Sequence, residues 1–413
     1  MRSMKGRRGY APATQARAAR AGLSVVVLLL LVVVTQAVDV TPPVCVASPV
    51  SGEATKNKAG KTDTASAAEA GAGRPRLSER ETGGALQEGT DYVVVCKDAG
   101  AGGYEAFPDV CRVKDGRLLC VFYAGWEHES LPDDKHPNGG RICACYSRDE
   151  GKSWSAPTVV YDGPNDDRDP SVLQMTDGRI LCNFFSSKPK KGGGDSTGLG
   201  TWLVISSNGG QTWSEPQCIA EGYYCSSPIR QYNDTYLLLG LYRADDKDAN
   251  GAVTISKDSG VTWSKPADID NGGLRLDAET DVIARPTTRD FYAIQRAEKE
   301  SMRYSISADG GQTWSKSEPV GFAGHCPYLY RSPKGIIVCA HRNPNTSLHY
   351  SLDECKTWSD NVPVDSVDGA YPSMATLRDG NVLIVYYEEG KGSNIRARKF
   401  RIDREKGVTW KTW

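Results

Sequence analysis

Three arginines, Arg243, Arg296 and Arg342, stand at or just beyond the ends of short apolar runs at 237–242, 291–295 and 336–340. Guanidinium groups brought together repel unless an anion lies among them, and the rigid fork of Arg matches a carboxylate with two parallel N–H bonds. The chemistry this spacing suggests is a grip on an acidic group. Other reactive side chains fall at comparable places. Trp126-Glu127-His128, Lys188 and Tyr387-Glu388 end apolar runs, while Arg168-Asp169, Glu279, His325 and Tyr371 begin them. They share a site only if six separate elements converge.

The elements repeat in a way that makes them converge. Six units each contain a short strand, a turn often marked Asp-Gly, and a second apolar strand. The first strands begin at Phe107-Pro108, Asp169-Pro170, Ser227-Pro228, Glu279-Thr280-Asp281 (which lacks Pro), Cys326-Pro327 and Tyr371-Pro372. The second strands cover 118–123, 180–185, 237–242, 291–295, 336–340 and 382–387. Five units are followed by one phrase, clearest as Ser307-Ala308-Asp309-Gly310-Gly311-Gln312-Thr313-Trp314 and recurring up to Trp154, Trp213, Trp263 and Trp358. Its acid or Asn accepts hydrogen bonds from its own turn, Gly takes a positive φ, and Trp folds back over the corner of a hairpin. The Trp-to-Trp steps of 59, 50, 51 and 44 residues suit four-stranded propeller blades and are too irregular for a solenoid. The expected fold is all-β, a six-bladed β-propeller of four-stranded blades over residues 91–413. Tyr92-Val93-Val94-Val95 should close the ring against the degenerate sixth ending, Gly407-Val408-Thr409-Trp410.

The phrase resembles the Asp box, or BNR repeat, of the sialidase superfamily, and the mouth residues carry a second resemblance to the same family. Glu279 with Arg296 17 residues on looks like the family's Glu and second triad Arg. Arg342, Tyr371 in Gly369-Ala370-Tyr371, and Glu388 look like its third Arg, its tyrosine nucleophile and the Glu that orients an Arg. The resemblance implies that the arginines bind the substrate carboxylate and that Tyr371 attacks the anomeric carbon with Glu279 as base. An Asp of the loop 129–134, Asp133 or Asp134, would protonate the leaving oxygen. A neutral phenol can approach a carbon that bears a carboxylate without the repulsion a carboxylate nucleophile would meet. One position departs from the pattern: Ala106 stands where the family has its first triad Arg. Arg168, two residues before Pro170, and Arg243 are the cations available to replace it.

The rest of the chain sets the context. Formal net charge is −1 over 413 residues with no basic stripe, which argues against a nucleic-acid partner. Residues 1–38 read as a signal peptide or signal anchor, with Arg and Lys ahead of an apolar run at 23–34 and small residues after it. The chain is therefore expected outside the cell or in a lumen, or as a type II membrane protein if that segment is retained. Residues 39–90, poor in large apolar side chains, read as a disordered linker. Twelve cysteines fit an oxidising compartment, but Cys120 and Cys182 lie inside apolar strands where a buried thiol is as natural as a disulfide. No metal site or cofactor is expected, since His128 and His136 alone do not make a ligand set. Asn233 and Asn345 head glycosylation sequons. Three functions fit: a retaining sialidase-type glycosidase, an enzyme on a uronate-containing polysaccharide, and a glycan-binding propeller without catalysis.

Overall fold

The computed structural model describes residues 92–190, 196–243, 250–390 and 392–413. The expected leader at 1–38 and linker at 39–90 lie outside them. The described residues contain no helix and form six antiparallel sheets, the blades of a propeller. Blade 1 is typical. Tyr104–Arg112 lies innermost and pairs with Leu118–Gly125, which pairs with Arg141–Ser147, which pairs with Thr158–Tyr161. The inner strands of blades 2, 4, 5 and 6 are Asp166–Gln174, Thr280–Arg285, His325–Arg331 and Gly369–Thr376. In blade 3 the inner strand is broken into Tyr223–Tyr224 and Arg230–Gln231, both on Leu237–Arg243. Second strands bury nearly every residue because both faces meet neighbouring blades, so they read as continuous apolar runs.

The ring closes as expected in principle but with a different partner. Val93–Cys96 pairs with Ile395–Asp403, Val93 opposite Ala397 and Val94 opposite Arg396. Gly407–Lys411 takes the other half of the same strand, Phe400 opposite Trp410. Both ends of the propeller thus lie side by side on one strand and do not pair with each other.

Polar stitches fix the blades around the axis. Val110 N donates to Ser373 Oγ at 2.9 Å, Val172 N to Asp109 Oδ2 at 2.8 Å, and Leu329 N to Asp281 Oδ2 at 2.6 Å. Each satisfies an inner-strand amide that has no further strand to pair with. The five Asp boxes occupy the corner between third and outer strands, hence the face opposite the start of the inner strands. In the first, Asp149 accepts from Ser147 Oγ at 2.9 Å, Ser153 N at 2.9 Å and Ser153 Oγ at 2.6 Å, and Trp154 Nε1 donates to Gly151 O at 3.1 Å. Two consecutive residues take positive φ there, not Gly alone: Glu150 at 64° and Gly151 at 88°. Cys355 keeps a φ of 65° where the other copies have Gly. Cys120 and Cys182 are buried free thiols.

Candidate active site

Four inner strands share one distortion. Phe107, Asp169, Cys326 and Tyr371, each directly before a proline, have φ of 53°, 48°, 44° and 48°. At each the register slips by one residue: Ala106 faces Tyr123 but Asp109 faces Val121, and Ala370 faces Tyr387 but Ser373 faces Val385. These are β-bulges, and Pro is tolerated in them because the extra residue needs no ladder N–H. The prolines of the sequence repeat mark the bulges. Each left-handed residue costs about 1–3 kcal/mol, a strain the surrounding sheet must hold. The result is convergence: all four residues line a narrow cavity on the axis together with Ser226. A larger cavity of about 690 Å³ opens at the other end of the inner strands, lined by Val110, Val172, Ile229, Val282, Leu329 and Met374, away from these groups.

The bulge of blade 6 delivers Tyr371 to Glu279, which begins blade 4. The Tyr371 hydroxyl donates to Glu279 Oε1. Glu279 Oε2 accepts from Cys326 N at 2.8 Å and pairs with Arg296 Nη1 at 3.1 Å. Burial works to raise the Glu279 carboxyl, but Arg296, the Tyr371 hydroxyl and Arg342 outweigh it and hold its pKa below the usual range. Tyr371 goes the other way: burial, with Asp169 and Glu279 beside it, raises its phenol well above the ordinary value. The couple is therefore a neutral phenol hydrogen-bonded to an ionised carboxylate. That pair can pass a proton from Tyr371 to Glu279 as the phenol oxygen attacks, and the nearby arginines favour the negative charge that develops.

Arg168, Arg296 and Arg342 surround this couple, all with largely buried side chains. Arg168 lies over the rings of Phe107 and Phe185, centroids 5.2 and 5.4 Å away, and Phe107 packs edge-on to Tyr371 at 4.8 Å. The repulsion among the arginines is relieved by carboxylates of the chain itself. Arg168 pairs with Glu129 at 3.1 Å, and Arg296 with Asp277 at 3.2 Å and with Glu298. Arg342 meets Glu389 at 3.5 Å. Glu129 and Glu298 are nearly half exposed, so an acidic ligand can displace them, whereas Glu279 is buried and stays. Among the described residues the buried Nε of each of the three arginines has no hydrogen-bond acceptor, though Asp166 Oδ2 lies 3.9 Å from that of Arg168. Asp169 joins from blade 2, its Oδ2 accepting from Ser226 Oγ at 3.0 Å, and burial lifts its carboxyl to about 7 against the pull of Arg168.

Other residues expected at the mouth are elsewhere. Arg243 pairs with Asp268 at 2.6 Å and covers the Tyr223 ring, both in its own blade. Glu388 pairs with Arg396 and accepts from Asn394 at 2.9 Å; the residue that reaches Arg342 is Glu389. Strand alternation explains the correction, since Glu389 shares a face with Tyr387, whose hydroxyl it accepts at 2.6 Å, and Glu388 points the other way. Asp133 is exposed and folded onto its own turn, accepting from Lys135 N and His136 N at 2.9 and 2.7 Å. Asp134 is exposed, and neither Asp bonds to the cluster among the described residues. Ala106 is fully buried, leaving the cation of that region to Arg168.

Residues 141–325 match the BNR repeat-like domain. A sialidase of Bacteroides fragilis is 24% identical over 214 residues, 46% of this chain and 36% of that protein, so the match spans about a third of the relative's length. The fold is that of the intramolecular trans-sialidase of Ruminococcus gnavus solved with oseltamivir carboxylate, with a TM-score of 0.58 at 15% identity over 76% of this chain and 98% of that one. The NanB sialidase of Streptococcus pneumoniae gives 0.60 at 14% identity, over 77% and 71%. The chain thus carries a BNR repeat-like domain on a six-bladed propeller fold that it shares with these sialidases. A Dyadobacter fermentans protein of unknown function superposes with a TM-score of 0.64 at 21% identity, over 76% of this chain and 98% of that one. Sequence reasoning placed Asp169 at the mouth without giving it a role, and it missed Glu389. The first was legible as the pre-proline acid in register with Tyr371. The second needed only the phase of alternation set by Tyr387.

Proposed function

We propose that this propeller is a retaining exo-glycosidase that removes a terminal sialic acid or a related acidic sugar from glycans. The observation that carries the reading is the Tyr371 hydroxyl bonded to an ionised, buried Glu279 between Arg296 and Arg342. In the first half-reaction the Tyr371 oxygen bonds to the anomeric carbon, its proton passes to Glu279, and the aglycone leaves. Water then releases the sugar, and Tyr371 recovers its proton. Arg168, Arg296 and Arg342 hold the sugar's carboxylate once Glu129 and Glu298 are displaced. Fluorogenic sialosides and uronides test the activity, and a fluorosugar that traps the intermediate should label Tyr371, as read by peptide mass spectrometry. A label on another residue, or an inverted first product by proton NMR, excludes the double displacement through Tyr371.

Ala106 supports a second reading. With Ala106 and no arginine at the mouth end of the inner strand of blade 1, and Arg168 in blade 2 instead, the cations are spread differently, as a uronate at another angle would require. Turnover of uronides and not of sialosides selects it. Binding of acidic glycans without turnover of either selects the non-catalytic propeller.

A further inference from the structure

Resting on the retaining reading above, we infer that His128 is the general acid and base that serves the leaving group. Cleavage to an alkyl leaving group needs a proton donor beside the glycosidic oxygen, and the donor must be part exposed because the aglycone points outward. The carboxylates of the blade 1 loop are placed for other work. Asp133 is bound into its own turn, Asp134 stands off in solvent, and Glu129 faces Arg168, on the side of the carboxylate grip. His128 sits in the same loop and is half exposed. Its ring meets Phe107 edge-on at 5.3 Å, and Phe107 meets Tyr371 at 4.8 Å, so one aromatic ring separates it from the nucleophile.

The imidazole is also oriented. Nδ1 lies 3.1 Å from the Tyr104 hydroxyl and 3.7 Å from Glu389 Oε1, which leaves Nε2 as the nitrogen free to meet substrate. Glu389 continues to Arg342 at 3.5 Å, linking the acid to the anion grip. Burial opposes ionisation of Glu389, but His128, the Tyr387 hydroxyl and Arg342 hold its pKa down at about 2, so a carboxylate faces the imidazole throughout. A carboxylate behind one ring nitrogen fixes the orientation of the ring. The titratable groups nearest to it besides Glu389 are Tyr104, from the inner strand of its blade, and Glu127 and Glu129, its neighbours in the loop; Tyr387 and Arg168 lie one residue further off, behind Glu389 and Phe107.

The protons balance. As the Tyr371 oxygen bonds to the anomeric carbon, its proton goes to Glu279, the glycosidic C–O bond breaks, and His128 Nε2 gives its proton to the departing oxygen. Neutral His128 then takes a proton from water as the water oxygen attacks the anomeric carbon. The Tyr371–carbon bond breaks, and Glu279 returns the phenol proton.

The experiment compares His128→Ala and His128→Asn with Asp133→Asn and Asp134→Asn on two acidic glycosides, one with an alkyl sugar aglycone and one with a nitrophenol, which leaves without a proton. The His128 variants should lose roughly 10²-fold or more in kcat/KM on the alkyl substrate and less than roughly 10-fold on the aryl one. The basic limb of the alkyl pH–rate profile should vanish, and azide should raise aryl turnover by taking water's place without needing a base. The Asp variants should keep the parent's ratio. A leaving-group-dependent loss in either Asp variant, or equal losses on both substrates in both His128 variants, overturns the assignment while the parent's turnover keeps the retaining reading. A parent inactive on every acidic glycoside overturns both.

Discussion

The two faces of the propeller use the same residue types to opposite ends. At the Asp-box corners a carboxylate is answered by neighbours at most four residues away, as Asp149 is by Ser147 and Ser153. At the mouth the partners come from different blades: Tyr371 and Glu279 are 92 residues apart, Arg342 and Glu389 are 47, and Tyr104 and Glu389 are 285. At a corner the Asp is satisfied by its own turn. The mouth holds buried arginines, half-exposed carboxylates that can move aside, and left-handed residues of four different blades. Local satisfaction builds the frame, and long-range satisfaction builds the chemistry.

The sharpest way to break that contrast is at the couple. Tyr371→Phe should lower kcat by roughly 10³-fold or more while KM for an acidic glycoside shifts only a few-fold, because the lost oxygen acts in the bond-making step. Glu279→Gln should do nearly the same, and the double variant little worse than either, as steady-state kinetics of the three will show. Next in size, Arg342→Ala or Arg296→Ala should weaken binding of an acidic sugar by a few kcal/mol in calorimetry, the scale of a buried charge-assisted pair. Of the two, Arg296→Ala should cost more stability, since it strands Glu279 without its nearest cation.

Titration separates the faces more gently. Asp169 holds its proton up to about pH 7 when folded, whereas an unfolded Asp releases it near 4. Its contribution to stability is therefore full below about pH 4 and declines as pH rises to about 7. Asp169→Asn should raise Tm relative to the parent by a few degrees at pH 8 and by less at pH 4.5, measured by scanning calorimetry. Asp309, on the other face, is held at about 2 by Thr313 and Ser307, so it changes nothing between those two pH values. The smallest expected effect is Asp149→Ala, a loss of about 1–3 °C in Tm with kcat/KM unchanged. A fall in activity without a fall in Tm would show that the corners reach the site.

The same contrast explains what could be read from the sequence. The Asp boxes and six strand pairs are short-range patterns, so blade number was legible, and the resemblance carried by Glu279 and Tyr371 pointed to their pairing; the ring closes with Val93–Cys96 on Ile395–Asp403 and not, as expected, on residues 407–410. What was obscure depended on phase or distance. Arg243 matched Arg296 and Arg342 in position, yet Asp268 and Tyr223 in its own blade engage it. Glu388 and Glu389 differ by one step of alternation, which only the register beside Ala370 and Tyr387 settles. The prolines were visible as a repeat, but that they mark bulges aiming the preceding side chain at the axis follows only from the pairing slips.

Blade 6 has a temporal side. Its outer edge is shared by Val93–Cys96 and Gly407–Lys411, the first and last strands of the ring, on Ile395–Asp403. That blade also supplies Tyr371, and Glu389 directly follows its second strand. During synthesis Val93–Cys96 emerges first and waits, unpaired, until nearly the whole chain has been made, for its partner is among the last strands delivered. Five blades can stack before then, but Tyr371 has no settled place until the seam is fastened. The contact between Tyr371 and Glu279 is thus a property of the closed ring, acquired late and all at once.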